Sequence, residues 1–137
     1  MEIDLALLAD AATIDGSGKL NILGVFDRVS AAAFPAQHGR MALVLRFSAG
    51  LPEAGPHEVG IRLTDPEGVQ VLRLDGEMQL APGPLSAGGG VKVPHVLNLD
   101  GIVLTRSGHY TFDVSVDDQH HVSIPLNVID AGGGVLA

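Results

Sequence analysis

The residues of this chain that could do chemistry are six histidines, a scatter of serines and one adjacent pair of aspartates. The histidines are His38, His57, His95, His109, His120 and His121. A zinc site needs three or four ligands converging on one point. His120 and His121 are neighbours, and on an extended strand neighbouring side chains point to opposite faces, so the two cannot chelate one ion. A third ligand would have to come from elsewhere, such as Asp117 or His109, and His109 falls at the far end of the preceding strand from Asp117. Hydrolytic catalysis asks for a serine held against a histidine and an acid. Ser17, Ser30, Ser48, Ser86, Ser107, Ser115 and Ser123 all lack a Gly-x-Ser-x-Gly setting. Ser115, His121 and Ser123 are expected to share one exposed face of the last hairpin, which is ordinary strand decoration.

Three further patterns invite a chemical reading and fail on spacing. Gly16-Ser17-Gly18-Lys19 lacks the phosphate-loop glycine five residues before Gly18-Lys19, where Thr13 stands, and Leu20 replaces the serine or threonine after the lysine. Asp15, Ser17 and Lys19 have calcium-loop spacing, but Lys19 puts a cation where an oxygen is required. Asp117-Asp118 reads as a turn, in which aspartate bonds its own backbone. Glycosidase chemistry would need two acids facing across a cleft, and sugar-stacking aromatics as well. The chain has no Trp and one Tyr, so carbohydrate is disfavoured as a ligand.

The most distinctive loop is Phe34-Pro35-Ala36-Gln37-His38-Gly39-Arg40. Its structural reading is that Phe34 plugs the end of the core and Pro35 stiffens the exit. Its functional reading is a recognition loop, with Gln37, His38 and Arg40 as the binding residues.

The elements that must position these groups are strands. Gly (18) and Pro (8) punctuate short apolar runs about every ten residues, the pattern of an all-β sandwich or barrel. Eight strands are expected, at 2–12, 20–32, 41–49, 57–64, 69–80, 93–104, 108–117 and 120–130. The run 41–47 is apolar at nearly every position and should be a central strand. Asp65-Pro66-Glu67-Gly68 has type I turn chemistry. In the last hairpin Tyr110, Phe112, Val114 and Val116 alternate with polar residues, as do Val122, Ile124, Leu126 and Val128 on the return. Matching these apolar faces sets Tyr110 against Leu126, Phe112 against Ile124, Val114 against Val122 and Val116 against His120, with a three-residue loop. The fold class that follows is a two-sheet antiparallel β-sandwich, immunoglobulin-like or a related Greek key. A single domain is expected over 1–130, with a flexible loop at 81–90 and a flexible Gly-rich tail at 131–137.

Leu5–Ala12 followed by Gly18–Gly24, Phe34–His38 with Met41–Val44, and Gly108–Phe112 with Ile124-Pro125-Leu126 resemble a group of small bacterial all-β proteins of unassigned function. The resemblance spans nearly the whole chain and implies a compact sandwich without implying an activity. The closing hairpin also looks like the last hairpin of immunoglobulin-like modules.

Composition narrows the classes further. The net charge is −8, and the eight basic residues are dispersed along the chain, so no basic face exists to displace counterions from nucleic acid. Anionic membranes would repel the chain, and the opening residues contain no basic signal region or spanning stretch. Without cysteine there is no disulfide, thiolate metal site or thiol nucleophile, which fits a cytoplasmic location. No cofactor is expected. The hydrophobic share, 46%, exceeds what a small core needs to hide, so the expected role is a non-enzymatic binding or assembly module for a protein partner or a homo-oligomer. The alternative is a metal-assisted enzyme whose site is built from distant loop residues such as His38, His57 or His95.

Overall fold

The computed structural model describes residues 1–50, 55–80 and 91–132. The 81–90 loop and positions 133–137 of the expected tail lie outside the described residues. Within them the strands are β1 (Glu2–Ile14), β2 (Leu20–Phe26), β3 (Arg28–Ala31), β4 (Ala36–Gln37), β5 (Arg40–Ala49), β6 (Gly55–Thr64), β7 (Gln70–Leu80), β8 (Val91–Asp100), β9 (Val103–Leu104), β10 (Gly108–Val116) and β11 (Gln119–Asp130).

Period-two alternation sorts the residues of these strands into an inner and an outer face. Sheet one has the order β2-β1-β5-β8 and sheet two the order β3-β11-β10-β6-β7. Their inner faces meet in one core. Met41, Leu43, Leu45 and Phe47 of β5 are sealed from water on one side. Tyr110, Phe112 and Val114 of β10 and Leu126 of β11 are sealed on the other. Each such side chain contributes roughly 1.5–3 kcal/mol on burial, so a single polar substitution along this seam would remove a large share of a domain's net stability. As expected for a central strand, β5 is also buried on its outer face, at Ala42 and Val44.

Turn chemistry secures the strand ends. Asp15 accepts hydrogen bonds on one carboxylate oxygen from the backbone N–H of Ser17 (2.8 Å) and Lys19 (3.0 Å). Asp65 repeats the device with the N–H groups of Glu67 (2.8 Å) and Val69 (2.9 Å). Both turns therefore begin with an Asx bond, the reason aspartate is favoured there. At the entrance to β10, Tyr110 is fully buried and its hydroxyl donates to the carbonyl of Arg106 at 2.8 Å while accepting from the Arg106 N–H at 3.3 Å. This is the tyrosine corner of Greek-key sandwiches, which ties an inter-sheet crossing to the strand that follows it.

The structure departs from the expected strand map at three places, each with a local cause. The segment expected as one strand over 20–32 changes sheets at Asp27. Before that residue β2 pairs with β1; after it β3 pairs with β11, and in parallel, so the second sheet is not wholly antiparallel. The Asp27 carbonyl accepts the Asn127 N–H at 2.8 Å and anchors the switch. The segment expected over 93–104 breaks at Gly101, whose N–H bonds the Gly39 carbonyl, and β9 then leaves to pair with β4 in a small third sheet. In the last hairpin the expected partners hold at Tyr110–Leu126, Phe112–Ile124 and Val114–Val122, but Val116 faces Gln119 rather than His120. The loop has two residues, Asp117 and Asp118, with φ of 51° and 64°, because a turn with both central residues at positive φ matches the strand twist. The residue this releases is absorbed as a bulge after Val114.

Tyr110→Phe keeps the ring in the core and deletes only the corner bonds. Such a loss costs roughly 1–3 kcal/mol when it strands partly buried backbone groups. We expect a urea midpoint lowered accordingly with an unchanged slope. A midpoint indistinguishable from the parent would show that the corner is ornamental.

Candidate functional site

In the 34–40 loop each candidate side chain meets a neighbour of its own. Gln37 lies in β4 opposite Val103, and its side-chain amide reaches the Gly101 carbonyl at 3.4 Å. His38 donates its backbone N–H to Ile102, and its ring tilts against Phe26 with centroids 6.2 Å apart. Arg40 makes a two-point bridge to Asp100, its cross-strand partner, at 2.7 and 3.2 Å. That bridge lowers the Asp100 pKa and raises that of Arg40. Phe34 packs against the core, in line with its plugging role.

The other histidines of the metal-assisted reading belong to different surroundings. His95 sits on the inner side of β8, edge-on to Phe47 at 6.2 Å. His57 is turned toward the β10–β11 turn, where its Nδ1 lies 2.6 Å from a carboxylate oxygen of Asp117. Among the described residues no three His, Asp or Glu groups are placed to hold a metal ion together. Asp117 acts instead as a clamp between sheet-two strands. Its other oxygen accepts the Glu58 N–H at 3.0 Å, and its own N–H bonds the Glu58 carbonyl at 2.8 Å. The His57 bond first, and the Glu58 N–H second, hold the Asp117 carboxyl below its usual pKa.

The outer face of sheet two carries the polar constellation nearest to a catalytic one. The bulge turns His120, not His121, onto this face: His120 is opposite Ser115, and Ser123 is opposite Asp113. Ser123 donates its hydroxyl proton to Asp113 at 2.6 Å, and His120 Nε2 lies 2.8 Å from the same hydroxyl. The residue types are those of a hydrolytic triad, but the order is not. The serine proton rests on the carboxylate, and that carboxylate approaches the same histidine nitrogen that meets the serine, Nε2, at 3.4 Å. Alongside, a shallow depression of about 440 Å³ opens over Gly60, walled by Glu58, Arg73, Asp75, Glu77, Ser115 and Asp118. Gly60 makes it: a Cβ there would come within 2.7 Å of the Ser115 hydroxyl. Arg73 within it bridges Asp75 at 3.1 Å.

The outer face of sheet one is different in kind. Cross-strand partners on it are Ala11 with Leu23, Ala9 with Val25 and Ala42, and Leu7 with Val44, which in turn faces Val96. At one end of this apolar band stands a polar group, Asp4 bridged by Arg46 at 2.8 Å and Lys92 at 2.9 Å, and Arg46 followed by Lys92 lowers the Asp4 pKa. Toward β2 the band emerges into solvent, where Leu23 and Val25 are 72% and 62% exposed. Sequence reasoning named a hydrophobic surplus without locating it. The signal was present in β2, whose apolar residues occupy both phases of the alternation (Ile22 and Phe26 on one, Leu23 and Val25 on the other), so one set must face outward.

Fold and surface together define a Greek-key β-sandwich domain with an apolar outer face beside a sheet edge, β2, that has no further strand paired to it among the described residues. The chain belongs to a family of unknown function, DUF6941, whose profile matches residues 4–129. Among solved structures it is similar to an immunoglobulin-like protein from Pseudomonas aeruginosa, at 14% identity and a TM-score of 0.43 over 93% of this chain and 94% of that one. No curated protein matches.

Asp4, Asp15, Asp100 and Asp117 all have lowered pKa values in the folded chain, from an ordinary 3.8. A depressed carboxyl contributes stability that is complete above its unfolded pKa and is lost as pH falls through its folded one. Thermal stability should therefore decline from about pH 5 downward. Asp117→Asn should flatten part of that decline while lowering stability at neutral pH. An acid profile identical in parent and variant would remove Asp117 from the set.

Proposed function

We propose that this domain is a non-enzymatic binding or assembly module that works by presenting the apolar outer face of sheet one, where it opens at β2, to a protein partner. The observation that carries the reading is the concentration of exposed apolar side chains there. Leu23 and Val25 are the two most exposed large hydrophobics among the described residues, and they are neighbours on one face of one strand. Water is released when such a face is covered, at roughly 25 cal/mol per Å² of apolar surface, and clustered exposure of this kind marks interaction surfaces. Of the polar groups weighed for chemistry, Asp15 and Asp117 hold turns, and Gln37 and Arg40 bond neighbours at strand ends. We take the working compartment to be the cytoplasm, a reducing setting that suits a chain without cysteine.

The test is affinity capture from native-host extract, with the intact chain and a Leu23→Glu/Val25→Glu variant as baits, read by mass spectrometry. A partner held by the parent and lost from the variant is the expected outcome. Identical recoveries from both baits would sink the assignment to this face. Elemental analysis after metal loading and desalting addresses the competing chemistry. Bound zinc or manganese at one ion per chain, lost in His57→Ala or His95→Ala, would favour the metal-assisted alternative.

A further inference from the structure

A sheet edge is a row of unsatisfied N–H and C=O groups, and natural sandwiches blunt their edges with charge, proline, bulges or shortness. Among the described residues the edge strands are β2 and β8 in sheet one and β3 and β7 in sheet two. Three are blunted. β8 carries Lys92, Pro94 and Asp100; β7 carries Arg73, Asp75 and Glu77; β3 is four residues long and begins with Arg28. β2, Leu20-Asn21-Ile22-Leu23-Gly24-Val25-Phe26, has neither charge nor proline. Its one irregularity, Gly24 at φ 72°, serves the other side of the strand, since a Cβ there would meet the Asp10 carboxylate at 2.3 Å.

We propose that the free edge of β2 pairs antiparallel with β2 of a second copy of this chain, joining two four-stranded sheets into one of eight across a twofold axis. The proposal rests on the assembly reading and names its occupant. Three features of the strand select a second copy. First, a twofold centred on Leu23 sets Leu23 against Leu23 and Asn21 against Val25, so the exposed apolar side chains of both copies meet on the same face. Second, the same register sets Lys19 of each copy against Asp27 of the other. Both residues are exposed and lie just outside the ends of β2, so the pairing gives two reciprocal ion pairs. Third, each copy carries a net charge of −8, and this uncharged strand lets two acidic molecules approach with no like charges directly opposed within it. The apolar band of Ala9, Ala11, Leu7 and Val44 would then run unbroken across the joined sheet.

Sedimentation equilibrium of the full chain, from about 1 to about 200 μM, tests the proposal in a concentration range suited to weak and moderate dimers. The parent should dimerise. Leu23→Lys should abolish the dimer by facing two ammonium groups across the axis. Lys19→Glu should weaken it roughly tenfold by opposing Asp27, and Lys19→Glu/Asp27→Lys should restore it, with circular dichroism confirming the fold of each. If Leu23→Lys disturbs folding, the charge reversal and its rescue still decide the matter, since both residues lie outside the strand. A dimer indifferent to Leu23→Lys and to Lys19→Glu would overturn the β2 edge while leaving the assembly reading standing. A parent monomeric throughout would overturn the second copy as occupant, and the capture experiment would then judge the assembly reading by itself.

Discussion

Everything in this fold depends on one constraint, the closed apolar core shared by the inner faces of the two sheets. Met41, Leu43, Leu45 and Phe47 of β5 and Tyr110, Phe112 and Val114 of β10 all belong to it, and none of them touches water. Because strand side chains alternate, committing these residues inward commits Ala42, Val44, Thr111 and Asp113 outward. A one-residue slip of either strand would exchange the two sets. The seam therefore determines which groups can reach solvent before any site is considered.

That constraint decides where the polar residues stand. With the inner faces given over to apolar side chains, they are carried on the outer faces, the ends and the edges. At the ends, carboxylates satisfy backbone N–H groups that turns leave open, as Asp15, Asp65 and Asp117 do. On the outer face of sheet two, charges pair with neighbours on the same or the adjacent strand: Arg73 with Asp75, and Ser123 with Asp113.

How much of this was legible in the sequence follows from what each feature depends on. The strands, the two turns beginning at Asp15 and Asp65 and the pairing of Tyr110, Phe112 and Val114 depend on local alternation and turn chemistry, and a single sequence displays both. The break at Asp27, the parallel pairing of β3 and the separation of β9 depend on which sheet a segment joins, and an apolar run such as Leu20–Phe26 carries no mark of that. The bulge that moves His120 to the outer face follows from the positive φ of Asp117 and Asp118, a choice between turn lengths that two aspartates leave open. Gln37, His38 and Arg40 stand close together simply as chain neighbours. Their engagement with Gly101, Phe26 and Asp100 came from residues more than ten positions away, which spacing cannot reveal.

The unequal treatment of the edges is the feature that packing alone does not explain. Core formation is indifferent to what an edge strand shows the solvent, so Lys92, Pro94 and Asp100 on β8 and the charges on β7 contribute little to the seam. Their physical effect is to make pairing with another strand costly. Among the described residues β8 and β7 are guarded and β2 is not, and the most exposed large hydrophobics stand on that same strand, which is the arrangement the proposed pairing of two copies requires. In that proposed pairing Lys19 and Asp27, at the two ends of β2, would favour an antiparallel neighbour of the same sequence and disfavour a parallel one, which would oppose like charges at both ends.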